Sequence, residues 1–328
     1  MSFLACRVFR NSTGVVARMV EVNLDDLTPG EVVIRAEWSG INFKDALGVT
    51  GRAPIFKRFP LNAGIDVSGR VESSSDPRFS PGDQVLVNGM GLGETNDGGL
   101  AQVVRVPADW VVALPHGLDL REAMILGTAG FTAALALYRM EVNGQSPSLG
   151  PVVVTGATGG VGSAAVSMLK RRGYQVTAVS GRPEHEAYLR ELGADEVTTP
   201  DALGLGTRPL EAARFGGAID NVGGPLLAGL LRHVALWGSV AAVGNAAGAS
   251  FEGSVFPFIL RGVSLLGASS ANCPMDSRTA IWNRLGADLR PPSLDRIASR
   301  TVKLVDVIDA CATLMNRSAR GRVLVDCR

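Results

Sequence analysis

A glycine-rich segment between a strand-like run and a helix-like run is the clearest chemical signal in the chain. It reads Ala157-Thr158-Gly159-Gly160-Val161-Gly162 and follows the β-branched run PVVVT. Gly159 allows a pyrophosphate to approach the backbone, and Gly162 allows the helix to pack closely on the strand. The N–H groups at the helix N-terminus attract the same anion. Because strand, turn, helix and a second strand occur in order, we predict a dinucleotide site.

The residues after the second strand indicate which dinucleotide is bound. An NAD-binding protein usually has Asp or Glu there, which binds the ribose hydroxyls. This chain has Ser180-Gly181-Arg182, starting 18 residues after Gly162. A carboxylate would repel a 2′-phosphate, whereas a hydroxyl and a guanidinium can hydrogen-bond to it. We therefore predict NADPH as the cofactor. The alternative is that Arg182 is a solvated loop residue.

The cysteines and histidines do not form a metal-binding pattern. The chain has four cysteines and three histidines, at Cys6, Cys273, Cys311, Cys327, His116, His185 and His233. This scatter indicates neither a disulfide framework nor a zinc site. We expect no metal and a reducing, cytoplasmic environment.

The elements that position these residues change type along the chain. Short alternating runs from Glu31 to about Leu114 predict a β-rich region, and an Ala/Leu-rich helix follows Asp119. From Pro151, buried strands alternate with helices, which is typical of a doubly wound parallel sheet. A helix over about Val305–Arg317 and a final strand, GRVLVDC, return to the first pattern. We predict an α/β protein with a β-rich domain at 1–122 and 293–328 and a doubly wound cofactor domain at 123–292.

Composition excludes some functional classes. The 32 basic and 31 acidic residues give a net charge of +1, which argues against a nucleic-acid partner. The N-terminal residues include Arg7 and Arg10 and lack the apolar core of a signal peptide. The long uncharged stretch His233–Phe251 is broken by glycines, so we expect a buried strand with its loops and no membrane partner.

Ten segments of the chain resemble those of one protein family. They are INFKDALGVTG, FPLNAGIDVSGRV, DPRFSPGDQVLV, GGLAQVVRV, AMILGTAGFTA, VVTGATGGVGS, VSGR, GAIDNVGG, PFILRGVSLLG and GRVLVD. The chain resembles the medium-chain dehydrogenase/reductase superfamily and, more closely, its YhdH/YhfP branch of zinc-free quinone-oxidoreductase-like proteins. Zinc relatives have Cys or His where this chain has Asn42–Asp45 and Gly64–Asp66. The resemblance implies a GroES-like β-rich catalytic domain and a Rossmann cofactor domain.

The resemblance also implies an activity, the NADPH-dependent, zinc-independent reduction of the carbon–carbon double bond of acrylyl-CoA to propionyl-CoA. Two alternatives stay open. One is an NADPH:quinone oxidoreductase, and the other is an NADPH-binding protein without catalysis. Relatives commonly dimerise through edge strands of the cofactor domain, so the resemblance implies a homodimer. The strand VSLLGAS is the candidate edge, and a buried internal strand is the alternative.

The family's cofactor contacts can be placed on matching residues. The resemblance puts Thr158, Gly159, Gly160 and Val161 at the pyrophosphate and Ser180, Gly181 and Arg182 at the 2′-phosphate. It puts Asn245, Ile259, Ser270 and Phe43 near the nicotinamide, with Asn221 and Arg322 as further candidates. For Ile259, a place in the hydrophobic core is the alternative.

The catalytic candidates are Asn42, Lys44 and Asp45. We expect Asn42 or Lys44 to donate a hydrogen bond to the thioester oxygen while Asp45 orients Lys44. The alternative is that Lys44 and Asp45 form a simple loop ion pair. The family usually has Tyr where this chain has Phe43, and Phe cannot donate a proton. Either water supplies the proton, or the Tyr of relatives only packs against the nicotinamide.

A basic loop follows these residues in the sequence. Arg52, Lys57 and Arg58 are candidates for binding the phosphates of CoA, with a solvated loop as the alternative.

Overall fold

A computed structural model describes residues 2–12, 14–316 and 319–328. The chain divides into two compact units. Unit 1 comprises Met1–Thr128, Ala271–Gly286 and Ile297–Arg328, and unit 2 comprises Ala129–Ser270 and Ala287–Arg296.

These bounds differ from the expected ones mainly at Ala271–Gly286, which we had expected in the cofactor domain. The segment belongs to unit 1 because two of its side chains bind the end of a unit 1 strand. Arg278 donates to the backbone oxygen of Asn88 at 2.6 Å, and Trp282 Nε1 donates to Asn88 Oδ1 at 3.0 Å. Both side chains are fully buried. Such a clamp between distant residues leaves no local sequence signal.

Unit 1 is built from two sheets. Its strands are β1 (Ser2–Asn11), β2 (Gly14–Asn23), β3 (Val32–Ile41), β4 (Leu61–Asn62), β5 (Asp66–Ser74), β6 (Gln84–Asn88), β7 (Val103–Val106), β8 (Val112–Ala113), β15 (Ala298–Lys303) and β16 (Arg322–Asp326). β1 pairs with β2 and β4, while β3 pairs with β5, β7 and β16. The final strand thus joins the sheet of the β-rich unit, as expected, over a core of alternating Val, Ile and Leu side chains.

The helices, in chain order, are α1 (Phe43–Val49), α2 (Leu120–Val142), α3 (Gly160–Arg171), α4 (Glu186–Glu191), α5 (Gly224–His233), α6 (Phe256–Arg261), α7 (Met275–Leu285), α8 (Leu294–Ile297) and α9 (Val307–Leu314). α9 is shorter than the predicted Val305–Arg317, because the residues Leu304–Asp306 form a 3-10 turn before it. Arg317 lies outside the described residues.

The long helix α2 is broken at Gly127, where φ is 49° and ψ is −154°. Among the described helices it alone is long and apolar enough to cross a membrane by length and composition. However, 83% of its most apolar window is buried inside the protein, as is usual for a core helix.

Unit 2 contains one parallel sheet of six strands. They are β9 (Val152–Thr155), β10 (Val176–Val179), β11 (Glu196–Thr198), β12 (Phe215–Asp220), β13 (Val234–Ala242) and β14 (Ser264–Gly267). Their spatial order, β11-β10-β9-β12-β13-β14, is that of a doubly wound dinucleotide-binding fold. The strands that follow β9 are added first on one side of it, as β10 and β11, and then on its other side, as β12, β13 and β14. Ligands of such sheets bind at the carboxyl ends of the strands where this switch occurs, here β9 and β12. The predicted Rossmann architecture is confirmed.

One expectation for unit 2 is wrong in part. The stretch after His233 was expected to be a buried strand, and β13 is indeed buried in its second half. In its first half, Leu236 and Trp237 are 61% and 72% exposed. The pairing of β12 with β13 shifts register there, and Trp237 has a positive φ of 60°, so this part of β13 leaves the regular ladder.

Candidate functional site

The glycine-rich segment forms a tight turn between β9 and α3. Gly156 has φ of 56°, and Gly159 precedes the first turn of α3. A side chain at Gly162 would come within 2.6 Å of the Cα of Ala157, so only glycine fits. A side chain at Gly159 would meet only one carbonyl oxygen, at 3.4 Å. Gly162 therefore serves close packing and Gly159 leaves open space above the helix N-terminus, in the roles that the motif predicts.

The loop after β10 folds back on the glycine-rich turn. Ser180 Oγ accepts the backbone N–H of Arg182 at 3.1 Å. Arg182 Nη2 donates to Thr158 Oγ1 at 2.7 Å. A side chain at Gly181 would meet nothing within 4 Å. The structure thus brings together the residues predicted for the pyrophosphate and those predicted for the 2′-phosphate.

A polar group that the sequence analysis missed lies between the ends of β9 and β12. Thr155 Oγ1 donates to Asp220 Oδ1 at 2.6 Å, and Asp220 Oδ2 accepts the N–H of Gly223 at 2.8 Å. Burial raises the pKa of Asp220, and these hydrogen bonds oppose the rise. The sequence does contain a signal for this group, because Thr155 and Asp220 are polar residues that each end an otherwise apolar strand. The group fixes the loop after β12.

Asn221 begins that loop, and the hydrogen bonds of its side chain show whether the site suits a dinucleotide. Its N–H donates to Thr155 Oγ1 at 2.9 Å and its Nδ2 to the Thr155 backbone oxygen at 2.7 Å. Its Oδ1 is buried and has no hydrogen-bond partner among the described residues. An unpaired buried acceptor costs about 1–3 kcal/mol, so this atom calls for a donor from a ligand. A ribose hydroxyl or a carboxamide is such a donor, and the site fits the cofactor.

The other predicted cofactor residues of unit 2 are spread over three places. Asn245 is exposed in the loop after β13. It lies beside Gly223, since a Cβ atom added to Gly223 would be 3.4 Å from the Asn245 Cα. Ser270 is half-buried and follows β14. Ile259 is 68% exposed on α6. The alternative that Ile259 belongs to the core is therefore wrong.

A buried carboxylate organises the polar cluster of unit 1. Asp66, at the start of β5, is fully buried and pairs with Arg322 Nη2 at 2.8 Å. It also accepts hydrogen bonds from Asn42 Nδ2 at 2.7 Å and from Thr128 Oγ1 at 2.6 Å. The backbone N–H of Thr128, exposed by the break in α2, donates to Asp66 at 2.9 Å. The charge of Asp66 is thus compensated by an ion pair and by several hydrogen bonds, as burial of a carboxylate requires.

Two of our expectations for this cluster need correction. Arg322 was a candidate for the cofactor, but its side chain is 3% exposed and also donates to Asn42 Oδ1 at 2.7 Å. Asn42 was a candidate donor to substrate, but both ends of its amide are taken up by Asp66 and Arg322. Both side chains face the interior because they compensate the buried charge of Asp66. Their role is to position the start of α1.

A third expectation, that Asp45 orients Lys44, is wrong. Asp45 is buried and accepts the N–H groups of Asn42 at 2.8 Å and Ile65 at 3.0 Å. Lys44 Nζ instead pairs with Glu94 at 2.7 Å, and its side chain is 37% exposed. Consecutive helical residues project about 100° apart, so Asp45 turns back to the helix N-terminus while Lys44 faces outward. The loop ion pair between Lys44 and Asp45 is excluded on the same ground.

Glu94 was missed because it lies 50 residues from Lys44. Its backbone oxygen accepts the N–H of Lys57 at 2.8 Å, which ties the basic loop to the Lys44–Glu94 pair. Arg52, Lys57 and Arg58 are all exposed. Phe43, the first residue of α1, is 47% exposed. The structure therefore brings Lys44 and the three basic candidates into one region of unit 1.

Comparison with known proteins identifies the family. Residues 28–116 match the alcohol dehydrogenase GroES-like domain, and residues 160–285 match the zinc-binding dehydrogenase domain. The acrylyl-CoA reductase AcuI of Ruegeria pomeroyi is 44% identical over 94% of both chains. YhfP of Bacillus subtilis, named as a candidate quinone oxidoreductase, is 46% identical over 98% of both chains. The chain belongs to the YhdH/YhfP branch of the medium-chain dehydrogenase/reductase superfamily.

Solved structures of this branch share the whole fold. The YhdH oxidoreductase of Salmonella enterica, in complex with NADP, has a TM-score of 0.95 at 42% identity and covers 99% of this chain and 100% of its own. The structure of YhfP with NAD bound has a TM-score of 0.96 and covers 99% of both chains. Members of the YhdH/YhfP branch have thus been solved with either dinucleotide.

One of the matched domains is named for zinc binding, but the residues of this chain do not fit a zinc ion. At the position of Asp66 the carboxylate oxygens are satisfied by Arg322, Asn42 and Thr128. A guanidinium beside the carboxylate repels a second cation. Among residues 2–12, 14–316 and 319–328, no group of three or more His, Cys, Asp or Glu side chains is placed to hold a metal ion.

Asp45 predicts a dependence of stability on pH. Burial raises its pKa to about 7, and nearby Asp66 adds to the rise, although the N–H groups of Asn42 and Ile65 oppose it. A carboxyl whose folded pKa is raised stabilises the fold fully below its unfolded pKa of 3.8, and this contribution is lost as pH rises towards 7. We expect the free energy of unfolding of the wild type, relative to Asp45→Asn, to fall between pH 4 and pH 7, with a slope of at most about 1.4 kcal/mol per pH unit.

Urea unfolding followed by tryptophan fluorescence at several pH values measures this difference. Asp25→Asn is the matched control, since Asp25 is an exposed carboxylate of the same unit. Parallel pH profiles for the wild type and Asp45→Asn would contradict the assignment.

Proposed function

We propose that the chain catalyses the NADPH-dependent reduction of acrylyl-CoA to propionyl-CoA without zinc. The observation that carries the proposal is the loop after β10, where Arg182 and Ser180 replace the carboxylate of an NAD site and Arg182 is bound to Thr158. The identity to an acrylyl-CoA reductase over nearly the whole chain supports the substrate. The YhdH complex with NADP supports the cofactor.

The residues that would hold the dinucleotide follow from the geometry of unit 2. The glycine-rich turn from Thr158 to Gly162, which leads into α3, faces the pyrophosphate, and Ser180 and Arg182 face the 2′-phosphate. The unpaired Asn221 Oδ1 accepts from the ribose or the carboxamide. When bound, the dinucleotide supplies the hydride for the β carbon of the substrate. The assignments of Phe43, Asn245, Ile259 and Ser270 to the nicotinamide half stay predictions.

Lys44 is the residue of unit 1 suited to the developing charge on the thioester oxygen. Its ammonium has three N–H donors, of which the bond to Glu94 takes one. A hydrogen bond from this ammonium stabilises the enolate oxygen more than the starting carbonyl, which lowers the barrier. Asn42 and Asp45 act through the start of α1 and are positioning residues. Phe43 cannot donate the proton that the α carbon requires, so we assign this proton to water.

Arg52, Lys57 and Arg58 are proposed to bind the phosphates of CoA. All three are exposed, and the link from Lys57 to Glu94 places their loop beside Lys44. Flexible cations at the rim of a site bind phosphate without rigid geometry. A quinone carries no phosphate and does not need this loop. Reduction of a quinone is nevertheless the second candidate function, because YhfP, at 46% identity, carries that name.

A homodimer is proposed on the basis of an apolar surface of unit 2. This surface consists of Leu236, Trp237, Phe256, Ile259 and Leu260, each more than 40% exposed. The nearby β14 is the last strand in the order of the described sheet, so its outer edge is open to pairing. A large exposed apolar patch marks an interaction surface. A cytoplasmic location is also proposed, since the four cysteines are unpaired and buried.

The proposed activity predicts which substrate consumes NADPH. We expect loss of NADPH absorbance with acrylyl-CoA and formation of propionyl-CoA, with kcat/KM at least about tenfold above that for a quinone. We expect an acrylyl thioester of pantetheine, which lacks the nucleotide of CoA, to show a raised KM, because it cannot reach the three basic side chains. A quinone as the faster substrate, or tight NADPH binding without oxidation by either thioester, would exclude the proposal.

The role of Lys44 predicts a selective loss of turnover. We expect Lys44→Ala to lower kcat by roughly 100-fold while the KM for NADPH is unchanged, as for loss of one oxyanion donor. Lys57→Ala is the control, because it removes a nearby charge that is assigned to substrate binding and should raise KM only. Normal kcat in Lys44→Ala would remove Lys44 from the mechanism.

The apolar surface predicts the oligomeric state. We expect light scattering to give the mass of two 34.2 kDa chains for the wild type and of one chain for Leu260→Asp. Val142→Asp, a change at a 71% exposed apolar residue elsewhere in unit 2, should stay dimeric. A monomeric wild type at micromolar concentration would refute the assignment.

A further inference from the structure

Thr158 lies at a junction that its place in the glycine-rich motif does not require. Its side chain is almost completely buried, and its Oγ1 accepts a hydrogen bond from Arg182 Nη2 at 2.7 Å. The two residues belong to different loops, one after β9 and one after β10, and are 24 residues apart. A second bond, from the Arg182 N–H to Ser180 Oγ, holds the backbone of the same arginine. Arg182 is therefore fixed at both its main chain and its guanidinium.

Fixing a guanidinium before a ligand arrives changes how well it binds phosphate. A free arginine side chain loses about 2 kcal/mol of rotamer entropy when it is ordered. A planar guanidinium binds phosphate best with two parallel N–H groups, so its orientation matters as well as its charge. The group has five N–H donors, and the bond to Thr158 uses one of them. The bond to Thr158 can thus orient the guanidinium while itself using only one of its donors.

We infer that the Thr158 hydroxyl sets the preference of this protein for a phosphorylated dinucleotide by positioning Arg182. Thr158 is then a specificity-determining residue, although it need not touch the 2′-phosphate. The inference rests on the proposed NADPH site. A hydroxyl that served only the pyrophosphate would help NADPH and NADH equally, because both contain that group. Positioning of Arg182 and binding of the pyrophosphate can therefore be told apart by the ratio of the affinities for NADPH and NADH.

The experiment measures dissociation constants by calorimetry for NADPH, NADH, 2′,5′-ADP and 5′-AMP. The variants are Thr158→Val, which replaces the hydroxyl with a methyl group of similar size, and Thr158→Ser, which keeps the hydroxyl. Arg182→Ala and the double variant complete a thermodynamic cycle. Circular dichroism and thermal unfolding check that each variant is folded, and Thr158→Ala takes the place of Thr158→Val if the latter does not fold.

We expect Thr158→Val to raise the dissociation constants of NADPH and 2′,5′-ADP by about tenfold and to change those of NADH and 5′-AMP by no more than about twofold. Thr158→Ser should behave as the wild type. In the Arg182→Ala background, Thr158→Val should have little further effect on NADPH. If Thr158→Val weakens the binding of NADPH and NADH equally, or weakens neither, the inference is overturned and the proposed function still stands. A wild type that binds neither dinucleotide would overturn both.

Discussion

The buried ion pair between Asp66 and Arg322 is the constraint on which unit 1 depends. It joins residues 256 positions apart and links the start of β5, the start of β16 and the residue that precedes α1. Removing one partner of a buried pair typically costs about 3–5 kcal/mol, because the other charge is left uncompensated. The break in α2 supplies a further hydrogen bond to Asp66. Gly127 adopts a positive φ, which any other residue would strain, and so frees the Thr128 N–H for Asp66.

The charges of the chain fall into two groups with different physical consequences. Asp66, Arg322 and Asp45 are buried, bind neighbouring protein groups, and fix where α1 begins. Lys44 and Arg182 are partly exposed, and the ammonium of Lys44 is bonded to Glu94 while the guanidinium of Arg182 is bonded to Thr158. Buried groups cannot meet a ligand without losing their compensation, so they can only position. The chemistry of recognition is left to cations at the surface whose orientation is already restricted.

Sequence reasoning succeeded where the information was local. The glycine-rich turn and the doubly wound parallel sheet of unit 2 were predicted because each depends on short patterns of side-chain size and periodicity. It failed where partners are distant. Lys44 pairs with Glu94, and Arg278 clamps Asn88 across 190 residues, and neither contact leaves a trace in a single sequence. The exposure of Ile259 was undecided because pocket walls, interfaces and cores use the same apolar residues.

Adjacency in the sequence also misled. Lys44 and Asp45 are neighbours of opposite charge, yet the helix geometry directs them to different partners, one at the surface and one at the helix start. The reverse holds for the dinucleotide site, where Thr158 and Arg182 are distant in sequence and bonded in space. Whole-chain likeness does not separate the two dinucleotides, since closely similar structures of this branch were solved with NADP in one case and NAD in another. A 2′-phosphate differs from a hydroxyl only within a few ångströms, so discrimination must come from the local charge after β10 and from whatever holds that charge in place.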